Sequence, residues 1–555
     1  MFYNQQIAVG MSGGEYIGII PKMANRHGLI AGATGTGKTV TLKVMAESLS
    51  DAGVPVFLAD VKGDIAGMCA PGEDSADMQA RIRRFALADK NFGYRSYPVR
   101  FWDIYGEKGL PLRTTVTEFG PLLLARILDL NQTQTDILNI IFRIADEKNL
   151  LLIDMKDLKA MLGYVSENAS GFRAEYGNLA PQSISAIMRS LVALEDRGAD
   201  RFFGEPALDI HDWFRKDTDG RGVINILDSQ SAIQDPAIYA TFLLWMMSEL
   251  FEVLPEVGDL EKPQMVFFFD EAHLLFKDAP KALLQKVEQV VKLIRSKGVG
   301  IYFVTQNPRD IPDAVLAQLG NKVQHALHAY TPAEQKGLRA AADSFRENPA
   351  FQTEDAIREL KTGEAVVSFL QADGSPSVAQ IVSILPPQSK MGPIDDTLRE
   401  RIIETDALKR LYAEMFDRDS AYELLKRKSD EETARKVREK EEKEAEKARE
   451  KAEKEAAKEA ERAEKEAQKA REKEEKEAAK AAEKEAREKE KEKQKKDKTV
   501  KTAASQVAQS AVGTVGREVG KTIGGTFGGK FGKTLGGNIG AQLGRGLMQT
   551  LFRLK

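Results

Sequence analysis

Cysteine is almost missing. The 555 residues contain one, Cys69, which excludes an intramolecular disulfide framework and a cysteine-built zinc cluster. A reducing, cytoplasmic setting fits that usage. Long apolar runs are missing too. The most apolar helical stretch, Ala237 to Met247, is shorter than the roughly 20 residues a bilayer needs and runs into Glu249 and Glu252, so it reads as a buried core helix. The first ten residues carry Asn4, Gln5 and Gln6 where a secretory signal would place a basic start and an apolar run. No proline follows Pro393, and between Val437 and Val500 there is no Val, Ile, Leu, Met, Phe, Tyr or Trp. A tract without an apolar face cannot build a core, so the globular part must end before it.

Charge is abundant but segregated. Lys plus Arg number 81 against 84 for Asp plus Glu. Residues 428–498 hold 26 basic and 25 acidic side chains, and residues 499–555 hold 8 and 1. The remaining body has 47 basic against 58 acidic side chains, near −11, while the C-terminal end is near +7.

Up to about Pro393, short β-branched or aromatic runs alternate with helical patterns, which predicts an α/β fold with a mostly parallel sheet. Expected strands are His27 to Ala31, Val54 to Ala59, Val99 to Asp103, Val223 to Leu227, Met265 to Phe269, Ile301 to Val304, Lys322 to His328, Ala365 to Phe369 and Val378 to Ile384. Runs such as Val266-Phe267-Phe268-Phe269 are apolar on consecutive residues, so both sheet faces should be covered by helices. Between Leu110 and Arg221 helical periodicity takes over. The expected organisation is a core of residues 1–109 and 222–393, a helical insertion at 110–221, a helical connector at 394–427, a charged helix at 428–498 and a basic Gly-rich tail at 499–555.

The charged tract has high helix propensity and i,i+4 pairs such as Glu461 with Lys465. It reads as a solvated spacer of roughly 100 Å at ~1.5 Å per residue. A thin alanine stripe from Ala445 to Ala470 also allows weak coiled-coil pairing. In the tail, glycines at 516, 520, 524, 528, 532, 536, 540 and 544 each follow an apolar residue. On a helix that spacing makes a close-packing ridge, suited to helix association or, with its lysines, to peripheral contact with an anionic membrane. A disordered basic tail is the alternative, because each glycine costs helix about 1 kcal/mol.

The chemistry starts at Gly32-Ala33-Thr34-Gly35-Thr36-Gly37-Lys38-Thr39, set between a strand and a helix. This is G-x-x-x-x-G-K-[ST], the phosphate-binding P-loop. Gly32, Gly35 and Gly37 let backbone N–H groups wrap phosphates with Thr34 and Thr36, Lys38 neutralises the β and γ phosphates, and the Thr39 hydroxyl meets Mg²⁺. ATP and Mg²⁺ are therefore the expected ligands. Such a loop needs an acid for the metal and a base for water. Asp270 and Glu271, ending the apolar run Met265 to Phe269, supply them in that order. Asp270-Glu271-Ala272-His273 superficially fits a superfamily 2 helicase, but no Ser-Ala-Thr motif follows. The next strand ends in Thr305-Gln306-Asn307-Pro308, where Gln306 can sense the γ phosphate or water.

The ordered set GATGTGKT, ADVKGD (Ala59 to Asp64), FFFDEAH (Phe267 to His273), LIRSKGVGIYFVTQNP (Leu293 to Pro308) and DIPDAVLAQLGNKVQHAL (Asp310 to Leu327) resembles the HerA/FtsK superfamily of RecA-like motor ATPases. Within it the chain looks most like the bacterial YjgR-type HerA-like proteins. The resemblance implies a RecA-like P-loop NTPase core, a Walker A pair Lys38 and Thr39, a Walker B pair Asp270 and Glu271, and Gln306 as polar sensor. It also implies a homo-oligomeric ring, a hexamer by family habit, in which Arg295 acts on nucleotide in a neighbouring subunit. Arg309 and Arg339 are rival arginine fingers. With Gly32 so near the first residue, no room is left for the β-barrel that precedes the P-loop in HerA proteins.

Three functions stay open. One is a DNA translocase or helicase-like ATPase, another a motor acting on protein or at a membrane, and the third a nucleotide-dependent scaffold with slow hydrolysis. The acidic body lacks the basic footprint of a duplex binder, although a ring can carry a basic pore inside an acidic shell.

Overall fold

The computed structural model describes residues 1–90, 92–277 and 281–488. The glycine-repeat tail 499–555, with the helix packing or membrane contact expected of it, lies outside the described residues, as does the end of the charged tract. The chain divides into two compact units, Met1–Lys426 and Arg427–Lys555.

The first unit is built on one sheet of thirteen strands. They are β1 Phe2–Tyr3, β2 Gln6–Ser12, β3 Glu15–Ile19, β4 Gly28–Ala31, β5 Val56–Asp60, β6 Val99–Asp103, β7 Leu110–Pro111, β8 Ile224–Asp228, β9 Met265–Phe269, β10 Val299–Thr305, β11 Asn321–Gln324, β12 Glu364–Ser368 and β13 Gln380–Ile384. Their order is β1-β2-β13-β12-β11-β4-β10-β9-β5-β8-β6-β7, and β3 pairs with β2 off this path. From β11 to β7 every neighbouring pair is parallel, whereas β12, β13 and β1–β3 pair antiparallel. The fold is thus α/β with a mostly parallel sheet.

Side chains alternate between two cores, as a period of two requires. Phe57, Phe267, Phe269, Ile301 and Phe303 enter one core with the insertion helices, while Val56, Leu58, Val266, Phe268, Tyr302 and Val304 enter the other with the helix Lys38–Asp51. Consecutive apolar residues in β9 are therefore explained by burial on both faces.

All nine strands expected from the sequence are in the sheet, but β1, β2, β3 and β7 were not expected. Glycines interrupt β2 and β3 and hide their pattern. Gly10 and Gly18 sit where a Cβ would collide with a neighbouring strand, at 2.2 Å from Val382 and 2.5 Å from the Ile7 carbonyl. The strand expected over Lys322 to His328 stops at Gln324. Beyond it the backbone serves the P-loop instead, since the Ala326 carbonyl accepts from Ala33 N at 2.8 Å. His325 is fully buried and His328 is exposed.

Five helices between Val116 and Glu195 fill the space in sequence between β7 and β8. Three begin with reciprocal capping boxes, Thr115 with Glu118, Asn131 with Gln134 and Asp154 with Asp157. Residues after Ile394 return to the core through buried polar contacts. Arg399 pairs with Asp228 at 3.2 Å, Arg100 with Asp406 at 2.7 Å, and the Tyr412 hydroxyl donates to Asp212 at 2.7 Å. The connector belongs to the first compact unit for that reason.

Ala421–Glu488 is one helix of 68 residues. Its side chains are exposed from Lys428 to Ala470, and i,i+4 pairs such as Lys436 with Glu432 (2.9 Å) and Lys465 with Glu461 (2.6 Å) line it. Among the described residues no helix is long and apolar enough to cross a membrane.

Candidate nucleotide site

Parallel strands that point the same way deliver their C-terminal ends to one edge of the sheet, where backbone groups run out of strand partners. The P-loop leaves β4 at that edge. Gly32 N donates to the Thr305 carbonyl at 3.3 Å and Ala33 N to Ala326, so the loop is tied to the strands on both sides. Gly32, Gly35 and Gly37 have φ of 153°, 80° and 112°. At Gly32 a Cβ would stand 2.5 Å from the His325 Cβ, so glycine is required there on steric grounds as well. The helix Lys38–Asp51 starts directly after Gly37. Thr36 Oγ1 donates to the Ala33 carbonyl at 2.8 Å, and Gly363 N donates to the Thr36 carbonyl at 3.1 Å.

Lys38 folds back over the loop, its Nζ donating to the carbonyls of Gly32 (2.7 Å) and Ala33 (3.0 Å). Burial, then the charge of Lys62, lowers its pKa, while Asp270 and Glu271 oppose that shift. Lys38 is thus a partly desolvated cation held over the loop backbone by two of its carbonyls. That is a cradle for a phosphate chain.

The carboxylates stand two strands away. β10 lies between β4 and β9, pairing with each in parallel, so Gln306 at its end comes between the P-loop and the Asp270–Glu271 pair. Thr34 Oγ1 donates to Gln306 Oε1 at 3.5 Å, and Gln306 Nε2 donates to Glu271 Oε2 at 3.4 Å. The Gln306 amide therefore links loop and carboxylate. Asp270 is pushed up to about 7 by burial and by the neighbouring Glu271. A carboxylate so poor in compensating charge is suited to a cation. Its Oδ1 accepts from Glu271 N at 2.9 Å and its carbonyl accepts from the Tyr239 hydroxyl at 3.1 Å. Glu271 has φ of +49°, a left-handed conformation that costs a non-glycine residue about 1–3 kcal/mol. Its Oε1 is 3.6 Å from Lys62 Nζ and its Oε2 is 3.4 Å from His273 Nδ1.

Oxygen donors suit Mg²⁺, and the buried Asp270 carboxylate at this edge is one such donor. Asp270, Glu271, Gln306 and the loop Gly32 to Thr39 share one edge. Arg295 does not. It is exposed in the short 3₁₀ turn Ile294–Lys297 that precedes β10, so the whole seven-residue strand, roughly 20 Å at ~3.3 Å per residue, separates it from Gln306. Arg309 follows Gln306 by three residues and lies against Gly337, and Arg339 is 3.6 Å from Glu354.

The Helicase HerA-like C-terminal family matches residues 6–532. The chain belongs to the HerA-like family. Relatives include the DNA double-strand break repair helicase HerA of Sulfolobus acidocaldarius, 23% identical over 353 residues, covering 62% of each chain. The protein of the same description from Sulfurisphaera tokodaii is 23% identical over 354 residues, again with 62% of each chain covered. The chain thus spans about three-fifths of the length of the curated relatives it matches. Among solved structures it is similar to VirB4 of Thermoanaerobacter pseudethanolicus, with 16% identity, 69% of this chain and 97% of that one covered, and a TM-score of 0.45. The plasmid coupling protein TrwB in complex with ADP and Mg²⁺ is similar at 13% identity, 76% and 92% coverage, and a TM-score of 0.45.

Three side chains of this HerA-like site went unassigned in the sequence. Lys62 stands in the quoted ADVKGD stretch, at the same edge because β5 adjoins β9. Asp60, pushed up to about 6 by burial and by Asp64, ties that turn by accepting from Gly63 N and Ile65 N. His325 clamps the loop from beneath, with Nδ1 donating to the Glu364 carbonyl and Nε2 accepting from the Thr41 hydroxyl, both at 2.9 Å. Neither Lys62 nor His325 carried a sequence signal beyond the strand it follows.

Proposed function

We propose that this HerA-like chain is an ATP-hydrolysing motor that assembles into a ring, a hexamer by family habit, and translocates DNA. The observation that carries it is the convergence at one sheet edge of the Lys38 cradle, the Asp270–Glu271 pair and the Gln306 amide that links them. Lys38 neutralises the β and γ phosphates while the loop N–H groups hold them. Thr39 and Asp270 hold Mg²⁺, which when bound offsets phosphate charge and orients the chain of phosphates. Glu271 accepts the proton of the attacking water, and Gln306 fixes that carboxylate relative to the loop. Arg295, placed at the far edge, serves the nucleotide of a neighbouring subunit. DNA as the substrate is supported by the family and by what the HerA relatives are named for.

The test is ATP turnover of the whole chain with and without duplex DNA. DNA should raise turnover severalfold in wild type; Lys38→Ala should abolish nucleotide affinity and turnover together. Glu271→Gln should keep nucleotide binding and lose at least ~100-fold in turnover, the scale of a lost general base. Near-normal turnover in Glu271→Gln would refute the role given to Glu271. Turnover indifferent to DNA would favour a motor acting on protein or at a membrane, for which the basic segment 499–555 is the sequence-based support. Cosedimentation with anionic vesicles tests that second function.

A further inference from the structure

Lys62 has no task in the P-loop motif or in the Asp-Glu pair, yet its side chain reaches Glu271 and its charge is felt at Lys38. Its turn is firmly built. Asp60 Oδ1 accepts from Gly63 N at 2.7 Å and Oδ2 from Ile65 N at 3.1 Å, while Gly63 takes φ of +75° with the Gln230 amide packed where a Cβ would stand. β5 pairs with β9 through Leu58 and Phe268, so the turn rises beside Asp270 and Glu271. From it the Lys62 ammonium stands 3.6 Å from Glu271 Oε1, close enough to Lys38 and Asp270 to act on both electrostatically.

The pairing is asymmetric. The Lys62 side chain is 48% exposed and the Glu271 side chain 13%. At 3.6 Å this ion pair lacks a short charge-assisted hydrogen bond, so a stronger anion can take the ammonium from it. The opposite end of Glu271 is held too, with Oε2 near Gln306 Nε2 and His273 Nδ1 at 3.4 Å each. Both oxygens thus face side chains that compete with an attacking water for their lone pairs.

We propose that Lys62 is a second phosphate-directed cation, which pairs with Glu271 as the structure shows and exchanges that carboxylate for the γ phosphate when a nucleoside triphosphate binds. The exchange frees Glu271 Oε1 for water. A diphosphate lacks the group that draws Lys62 away, so Glu271 stays paired and the site tells triphosphate from diphosphate. This rests on the ATPase assignment above and deepens it.

The test titrates the full-length protein with fluorescent ADP and a fluorescent non-hydrolysable ATP analogue. Lys62→Ala should bind ADP within twofold of wild type and lose roughly tenfold in affinity for the triphosphate analogue, the scale of one charge-assisted contact. Lys62→Arg should restore most of that preference. Glu271→Gln removes the competing carboxylate, so it should bind the analogue more tightly than wild type, and adding Lys62→Ala should erase the gain. Equal loss of ADP and analogue affinity in Lys62→Ala would make Lys62 a structural residue and overturn the exchange. So would a wild-type preference left intact, in a protein that still hydrolyses ATP. A wild type that binds neither nucleotide would overturn the ATPase assignment, and the exchange with it.

Discussion

His325 offers a pH test of how the P-loop is held. Its ring is fully buried between the helix that follows the loop and β12. The Glu364 carbonyl can only accept, so Nδ1 carries the proton and a neutral Nε2 accepts from Thr41. Burial, with a smaller push from Lys38, lowers the pKa to about 4. A histidine with a lowered folded pKa charges first in the unfolded chain. Its contribution is therefore fully present above the ordinary value of ~6.5 and is lost as pH falls toward about 4. At pH 5.5 the loss is about 1.4 kcal/mol, one proton over roughly one pH unit. Asp60 and Asp270, with raised pKa values, push stability the opposite way as pH falls, so wild type alone is not diagnostic. The difference from His325→Gln is. At pH 7.5 the variant should be less stable by about 1–3 kcal/mol, for a disturbed buried hydrogen-bonded link. At pH 5.5 that gap should shrink by about 1.4 kcal/mol, because the variant has no imidazole to protonate. Urea unfolding followed through the buried Trp102, Trp213 and Trp245 reports on the unit that contains the site. A gap that stays constant or widens between the two pH values would refute the neutral buried clamp.

Gly32→Ala should cost at least tenfold in nucleotide affinity by equilibrium titration, because a Cβ 2.5 Å from His325 Cβ cannot be accommodated without moving the loop. Arg399→Met should destabilise the first unit by about 3–5 kcal/mol in urea unfolding, since it leaves Asp228, 4% exposed, without its charge partner. Arg295→Ala mixed with Lys38→Ala should partly recover hydrolysis that neither has alone; no recovery in mixed rings would end the role across subunits.

Most of the parallel half of the sheet was legible because buried strands announce themselves by unbroken apolar runs. β9 and β6 fall on their expected residues, and the P-loop and Asp-Glu pair carry their chemistry in their spacing. The antiparallel edge was not. β2 and β3 hold glycines for close approach to β13 and to each other, which removes the apolar alternation that signals a strand. The Gly13-Gly14 turn, with φ of 58° and 86°, was the one local clue. In the site, motif residues were readable, while Lys62 and His325 were not, because their positions depend on which strands become neighbours. β5 beside β9 brings Lys62 to Glu271, and β11 beside β4 brings His325 beneath Gly32. No spacing in the chain encodes either adjacency.

Strand adjacency also decides what Arg295 can do. The strand that carries Gln306 to the P-loop edge begins at the opposite edge, and Arg295 stands just before it, where His27 also lies buried at the start of β4. A seven-residue strand paired with β9 over Val299–Phe303 and with β4 over Tyr302–Thr305 cannot shorten, so the guanidinium and the Glu271 carboxylate of one copy stay a strand length apart. Arg309 and Arg339 are on the nucleotide side and could act without a partner, although Arg339 is engaged with Glu354. If Arg295 is the arginine that matters, catalysis is a property of the assembled ring, and turnover per subunit must rise with protein concentration as copies associate. If Arg309 serves instead, turnover per subunit is independent of concentration. The dilution profile of the wild-type chain thus separates the two arginines before any variant is made.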